Sequence, residues 1–132
     1  MAAGAAGMLL LAASLRPYHS GTGTHEQLGL PACTILAQTG WPCPTCGLTT
    51  SVAATAHGQL AVAARAQPFG VVIFAGLVTA AIAGGIELVS ARPVFSRLRP
   101  RLWWALAAVG GLLAGWAIKL AIGAATGELP LQ

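Results

Sequence analysis

The chain has 132 residues, 56% of them hydrophobic and 8% charged, with a formal net charge of +4. Soluble domains carry about 25% charged residues, so a water-soluble globule is excluded, as is a disordered chain, which needs low hydrophobicity and high charge. Nor does the positive balance point to nucleic acid. Four of the seven basic residues, Arg92, Arg97, Arg99 and Arg101, fall in one short stretch beside apolar segments, and no basic face with interleaved aromatics is present. The expected fold class is an all-α membrane protein, with about three transmembrane helices plus one short interfacial helix after a cysteine-containing loop.

Residues 1–16 open with "MAAGAAGMLLLAASL" and end at Arg16. Fifteen helical residues cover about 22 Å, against a hydrocarbon core of roughly 30 Å. The segment reads as a short or truncated first transmembrane helix, with Arg16 snorkelling outward. A signal peptide opens with a charged region, and none is present here.

Residues 17–46 are the most polar part and form the cysteine loop. Pro17, Gly21, Gly23, Gly29, Pro31 and Gly40 punctuate it, which is turn chemistry. "ACTILAQTG" predicts one short helical piece ended by Gly40. Tyr18 and Trp41 suit a headgroup level.

Residues 47–66 predict a helix that is interfacial or partly buried, with Leu48, Val52, Ala56 and Leu60 on one stripe. Residues 67–89 predict a transmembrane helix with Pro68 in its first turn. Residues 90–101 are the basic loop. Residues 102–123 predict the last transmembrane helix, with Trp103 and Trp104 at one interface and Trp116 and Lys119 nearing the other. Residues 124–132 are a tail.

Basic loops stay in the cytoplasm, so the cysteine loop is expected on the extracytoplasmic side of a bacterial inner membrane. Gly76, Ala80 and Gly84 share one helix face, and Ala107, Gly111 and Gly115 another. Such faces allow close backbone approach to a neighbouring helix. Glu87 and Lys119 lie near the ends of their helices, and no span holds a run of ionisable residues, which counts against a pump or transporter acting alone.

Chemistry concentrates in "GWPCPTCGLTTS", residues 40–51. Cys33, Cys43 and Cys46 allow one disulfide and leave one thiol over. A staple from Cys33 to Cys43 or Cys46 would contribute about 3 kcal/mol by the chain-entropy model. A redox pair at Cys43 and Cys46 is a second possibility. Cys46 would then sit just before a helix whose amides favour a thiolate, with Thr45 as a possible cap. The third is metal. Cys33, Cys43, Cys46 and His57 offer C-x9-C-x2-C-x10-H, a donor set suited to tetrahedral zinc. One continuous helix would carry His57 some 15 Å from Cys46, and His25 or His19 could take its place. No cofactor is demanded by the pattern, and zinc is the one it would accept. Covalent haem is unsupported because Gly47 follows Cys46, and three cysteines fall short of the four used for iron–sulfur ligation.

These residues resemble the DUF2752 family of small bacterial membrane proteins, whose function is uncharacterised. The likeness rests on Ala32–Cys33, "TGWPCPTCGLTTS" at residues 39–51 and "AHGQLAVAARAQPFG" at residues 56–70, and covers roughly residues 30–90. The family pattern is an upstream cysteine, a CPxCG core, a His-Gly pair and an Asn-Pro or Gln-Pro opening the next span. The resemblance implies that Cys33, Cys43, Cys46 and His57–Gly58 act as one unit. Many members carry arginine where this chain has Thr50, which weakens any role that needs a cation at that position.

The functional expectation is a small accessory subunit, non-catalytic, that stabilises or bridges a larger assembly of integral membrane proteins in the lipid bilayer. Its motivation is small size, little extramembrane mass and small-residue faces. One alternative is an extracytoplasmic thiol-disulfide or zinc-binding module built on Cys33, Cys43 and Cys46. Another is a subunit whose Trp103, Trp104 and Trp116 pack against pigment or quinone.

Overall fold

The computed structural model describes residues 2–90 and 102–127, and every regular element among them is helical. The helices are α1 (Ala2–Ser14), α2 (Thr34–Thr39), α3 (Leu48–Ala56), α4 (Leu60–Ala66), α5 (Pro68–Ser90) and α6 (Leu102–Thr126), with a short 3-10 helix at Thr24–Leu28. The basic-loop arginines and the last five residues of the tail lie outside the described residues.

Two helices, α5 with 23 residues and α6 with 25, are long and apolar enough to cross a membrane. Most of their surface is exposed, including Leu88, Val89, Leu102 and Leu106. Water would penalise so much open apolar area, and lipid would not. Among the described residues the fold is all-helical, with two long apolar helices consistent with a multi-pass membrane protein. The first segment forms α1, an apolar helix of 13 residues, shorter than a bilayer core. It lies along α5 and also reaches α3.

The helix expected over residues 47–66 is two helices. Gly58 takes a left-handed φ of 72°. Its N–H donates to Thr55 O, and the Gln59 N–H donates to Ala54 O at 2.8 Å. This pairing terminates α3 through a Schellman motif, so Gly58 ends the helix. The chain turns back, and α4 packs on α3 and α5. Thr50, Ser51, Ala53 and Ala54 of α3 and Ala63 and Ala66 of α4 are buried. The pair is partly buried: one side packs inward, while Leu60, Ala61, Ala64 and Arg65 of α4 stay exposed.

The polar loop is pinned to that pair. Thr24 is fully buried; its hydroxyl accepts from Thr50 Oγ1 at 2.8 Å and from the Tyr18 N–H at 3.2 Å. Arg16 and Gln27 exchange two hydrogen bonds, at 3.1 and 2.6 Å, closing the loop after α1.

Pro68 begins α5 at the place its missing N–H is harmless. The start of α5 meets the middle of α6, where Phe69 lies against Gly111 and Gly115. Small residues do make this contact, but not by two stripes meeting. Gly111 and Gly115 of α6 receive the Phe69 side chain of α5, while Gly76 has open space beside it. Ser51 of α3 sits directly over Gly70.

Candidate thiol and metal site

The thiol turn lies where α5 begins, against the inner side of α6. Cys33 precedes α2, a helix of six residues that ends when Gly40 adopts φ 70° and donates to Leu36 O. This short excursion returns the chain and sets Cys33 Sγ 3.5 Å from Cys43 Sγ. A turn closed by Cys46 N–H to Cys43 O, at 3.0 Å, then places Cys46 Sγ 2.9 Å from Cys43 Sγ. The three sulfurs all lie within 4.8 Å of one another. All three cysteines are free thiols, Cys46 buried and the other two half-buried. Cys43 touches both Cys33 and Cys46, so the geometry does not choose between a Cys33–Cys43 staple and a Cys43–Cys46 pair.

Pro42 and Pro44 have no backbone N–H, so the turn cannot close an ordinary ladder, and its carbonyls need other donors. Three side chains supply them. Trp116 Nε1 donates to Pro42 O at 2.8 Å, Gln67 Nε2 to Pro44 O at 3.1 Å, and Lys119 Nζ to Cys46 O at 3.1 Å. Alternate carbonyls of the turn are thus held from one side. Trp116 and Lys119 are three residues apart on α6 and therefore share a face. Gln67 also donates to Leu112 O at 3.3 Å, while its buried Oε1 has no protein partner.

Gly47 makes this packing possible. Its φ of 89° is left-handed, and a Cβ there would come within 2.5 Å of Ala66 O, 2.6 Å of Gly21 O and 2.9 Å of Lys119 Nζ. It is also the residue before α3, and no side chain caps that helix. Thr45, expected as a cap, instead sets its hydroxyl 3.3 Å from Cys43 Sγ.

The two cysteines of the turn have opposite character. Burial pushes the Cys43 thiol up, but hydrogen bonding with Cys46, Thr45 and Cys33 outweighs it and brings the pKa down to about 7. Burial raises Cys46, and its bonds to Cys43 and Cys33 add to that, pushing it up to about 12. A single negative charge on the pair therefore rests on Cys43, the more accessible sulfur.

Of the expected ligand set, the structure brings together Cys33, Cys43 and Cys46 and leaves His57 out. His57 Nε2 donates to the Leu15 carbonyl at 3.0 Å, tying α1 to the end of α3. His25 Nε2 bonds the Pro31 carbonyl at 3.2 Å, and His19 is exposed. Among the described residues no histidine or carboxylate joins the three sulfurs. The trio can hold a metal ion such as zinc. With Zn–S bonds of about 2.3 Å, tetrahedral geometry sets sulfurs roughly 3.8 Å apart, within the spread seen here.

Trp116, Lys119 and Gln67 are the site residues that the sequence did not reveal. Trp116 and Lys119 resemble interface anchors by position alone. Two signals were available: Lys119 is the only ionisable residue within an otherwise apolar last helix, a placement that marks functional sites, and Gln67 belongs to the Gln-Pro pair that opens the next span.

Residues 33–81 match the sequence model of DUF2752, described as a protein of unknown function, and the chain is similar to that family over this segment. The matched segment holds all three cysteines, His57 and Gln67, and stops before α6. No curated protein and no solved structure matches the chain significantly.

Proposed function

We propose that this protein is a membrane-anchored thiol module that binds a thiophilic divalent metal ion, zinc foremost, through Cys33, Cys43 and Cys46. The observation that carries this reading is the convergence of three sulfurs within 4.8 Å on a turn clamped by three side chains. Thiolates are soft ligands that favour zinc and copper(I) over magnesium or calcium. With three protein ligands a tetrahedral ion keeps one position for water or an incoming ligand, as exchangeable sites do. The test is metal analysis of the reduced protein in mild detergent, with cobalt(II) as a spectroscopic substitute. One ion per chain and thiolate-to-cobalt charge-transfer bands, both lost in Cys43→Ser and Cys46→Ser, are expected. Retention of the bands in both variants would overturn the reading.

A second reading is thiol-disulfide exchange, favoured by the arrangement of half-buried Cys43 beside buried Cys46 at 2.9 Å. The Cys43 thiolate would attack one sulfur of a partner disulfide, forming a mixed disulfide and expelling the partner's other sulfur as a thiolate. Cys46, giving up its proton, would then attack Cys43 and expel the bound partner sulfur, leaving a Cys43–Cys46 disulfide and a partner dithiol reduced by two electrons.

The proposed location is the bacterial inner membrane, with the thiols on the extracytoplasmic face. Support comes from the basic loop, which joins the ends of α5 and α6 remote from the thiol turn, and from the cytoplasmic preference of such loops. Impermeant thiol reagents added to reduced spheroplasts should label Cys43 before lysis. The module is further proposed to sit beside other integral membrane proteins, a role compatible with the exposed apolar flanks of α6, and co-purification in mild detergent tests it. No observation favours pigment or quinone. Trp116 is committed to Pro42 O, whereas Trp103 and Trp104 stack on each other about 20 Å away along α6.

A further inference from the structure

We propose that Lys119 is the built-in counter-charge of the metal-loaded thiol site, a positioning residue supplied by the last membrane helix. The inference rests on the metal reading above and adds to it a residue outside the cysteine segment.

Three observations converge on Lys119. Its ammonium lies 3.1 Å from the Cys46 carbonyl. It also occupies the space beside Gly47 that a side chain would fill, 2.9 Å from where a Cβ would stand. It is the single lysine of the chain, set within an apolar helix. Placing a cation in such a helix is costly and is retained where a partner or a function offsets it. A carbonyl oxygen alone is a weak partner for a full charge. Among the described residues no acidic side chain is recorded against it, whereas the cysteine cluster is adjacent.

The charge arithmetic supplies the missing partner. Three thiolates around a divalent ion leave one net negative charge. One ammonium matches it, so the loaded site and Lys119 together are neutral. In a partly buried setting an unmatched charge of either sign is penalised. Partners beyond the direct ligands commonly change metal affinity by about 10–100-fold. Lys119 is placed to act in that way, through the charge of the loaded site and without touching the ion.

The experiment uses the full chain in mild detergent, titrated with Zn2+ against a competing chelator. Lys119→Arg keeps the charge, Lys119→Gln keeps a neutral donor, and Lys119→Met keeps neither but suits an apolar helix. Affinity is read on the helical, monodisperse fraction of each. The expected result is near wild-type affinity for Lys119→Arg and a loss of about 10-fold or more for Lys119→Gln and Lys119→Met. A merely structural hydrogen bond to Cys46 would spare Lys119→Gln along with Lys119→Arg. That outcome, equal losses in both, or no loss in any variant, would overturn the counter-charge role while leaving the metal reading intact. Failure of the wild-type chain to bind Zn2+ would overturn both.

Discussion

The ammonium of Lys119 bonds the carbonyl of Cys46 at 3.1 Å across 73 positions of sequence. One helical turn earlier, Trp116 bonds the carbonyl of Pro42 at 2.8 Å. These two contacts make α6 part of the thiol site rather than only a lipid-facing span, and they generate measurable consequences.

Trp116→Phe keeps an aromatic ring but loses the fused pyrrole ring and its N–H. The Pro42 carbonyl, on a fully buried residue, is left without that donor. The expected destabilisation is about 1–3 kcal/mol, measured by denaturant unfolding in detergent. Trp103→Phe, on an exposed ring at the far end of α6, should lie close to wild type. Equal effects of the two changes would contradict the clamp.

Gly47 and Gly29 separate conformational strain from crowding. Both have positive φ, at 89° and 76°, but only Gly47 has backbone oxygens where a Cβ would go. Gly29→Ala should cost about 1–2 kcal/mol from the left-handed conformation alone. Gly47→Ala should cost clearly more, because two carbonyls and the Lys119 ammonium must move. Thermal unfolding of the pair in one detergent reads the difference.

The thiols should alkylate in a set order. In reduced, metal-free protein the Cys43 thiolate population rises as pH passes about 7, down from an ordinary 9.0. Cys46 stays protonated until far higher pH, near 12. Since the thiolate is the nucleophile, brief iodoacetamide pulses between pH 6 and 8 should label Cys43 increasingly and leave Cys46 unlabelled, by peptide mass mapping. Matching labelling of both sulfurs across that range would contradict the environments described.

His57 should be structural. His57→Ala removes the bond that ties Leu15 to the end of α3 and is expected to lower stability by about 1–2 kcal/mol. Zinc stoichiometry and the cobalt spectrum should not change. A lost or altered cobalt spectrum in folded His57→Ala would return the histidine to the ligand set.

The divergence over His57 shows where sequence reading stopped. Its spacing from Cys46 is compatible with ligation only if the intervening helix breaks. The helix does break, but at Gly58, one residue too late to help: by then α3 has already carried His57 toward Leu15. The Schellman end at Gly58 and Gln59 involves bonds back to Thr55 and Ala54. A glycine in a helical pattern permits such a stop without requiring it. Thr45 misled for a similar reason. Capping chemistry is local, but the hydroxyl found a sulfur closer than any helix N–H.

Composition and local pattern alone determined that the chain is helical and apolar, that residues 67–89 and 102–123 form long apolar helices, and that Cys43 and Cys46 sit together on one turn, with Cys33 a short loop away. Those properties follow from hydrophobicity, helix length and short loop closure, all written within a few tens of residues. Tertiary structure decided that residues 47–66 fold as two partly buried helices, that histidine stays out of the thiol cluster, and that Trp116, Lys119 and Gln67 hold the turn. The physical reason is that two prolines strip donors from the turn, and the replacements come from whatever helix packs beside it. Which helix that is depends on the meeting of α5 and α6 through Phe69, Gly111 and Gly115, a contact between distant segments that no local pattern encodes.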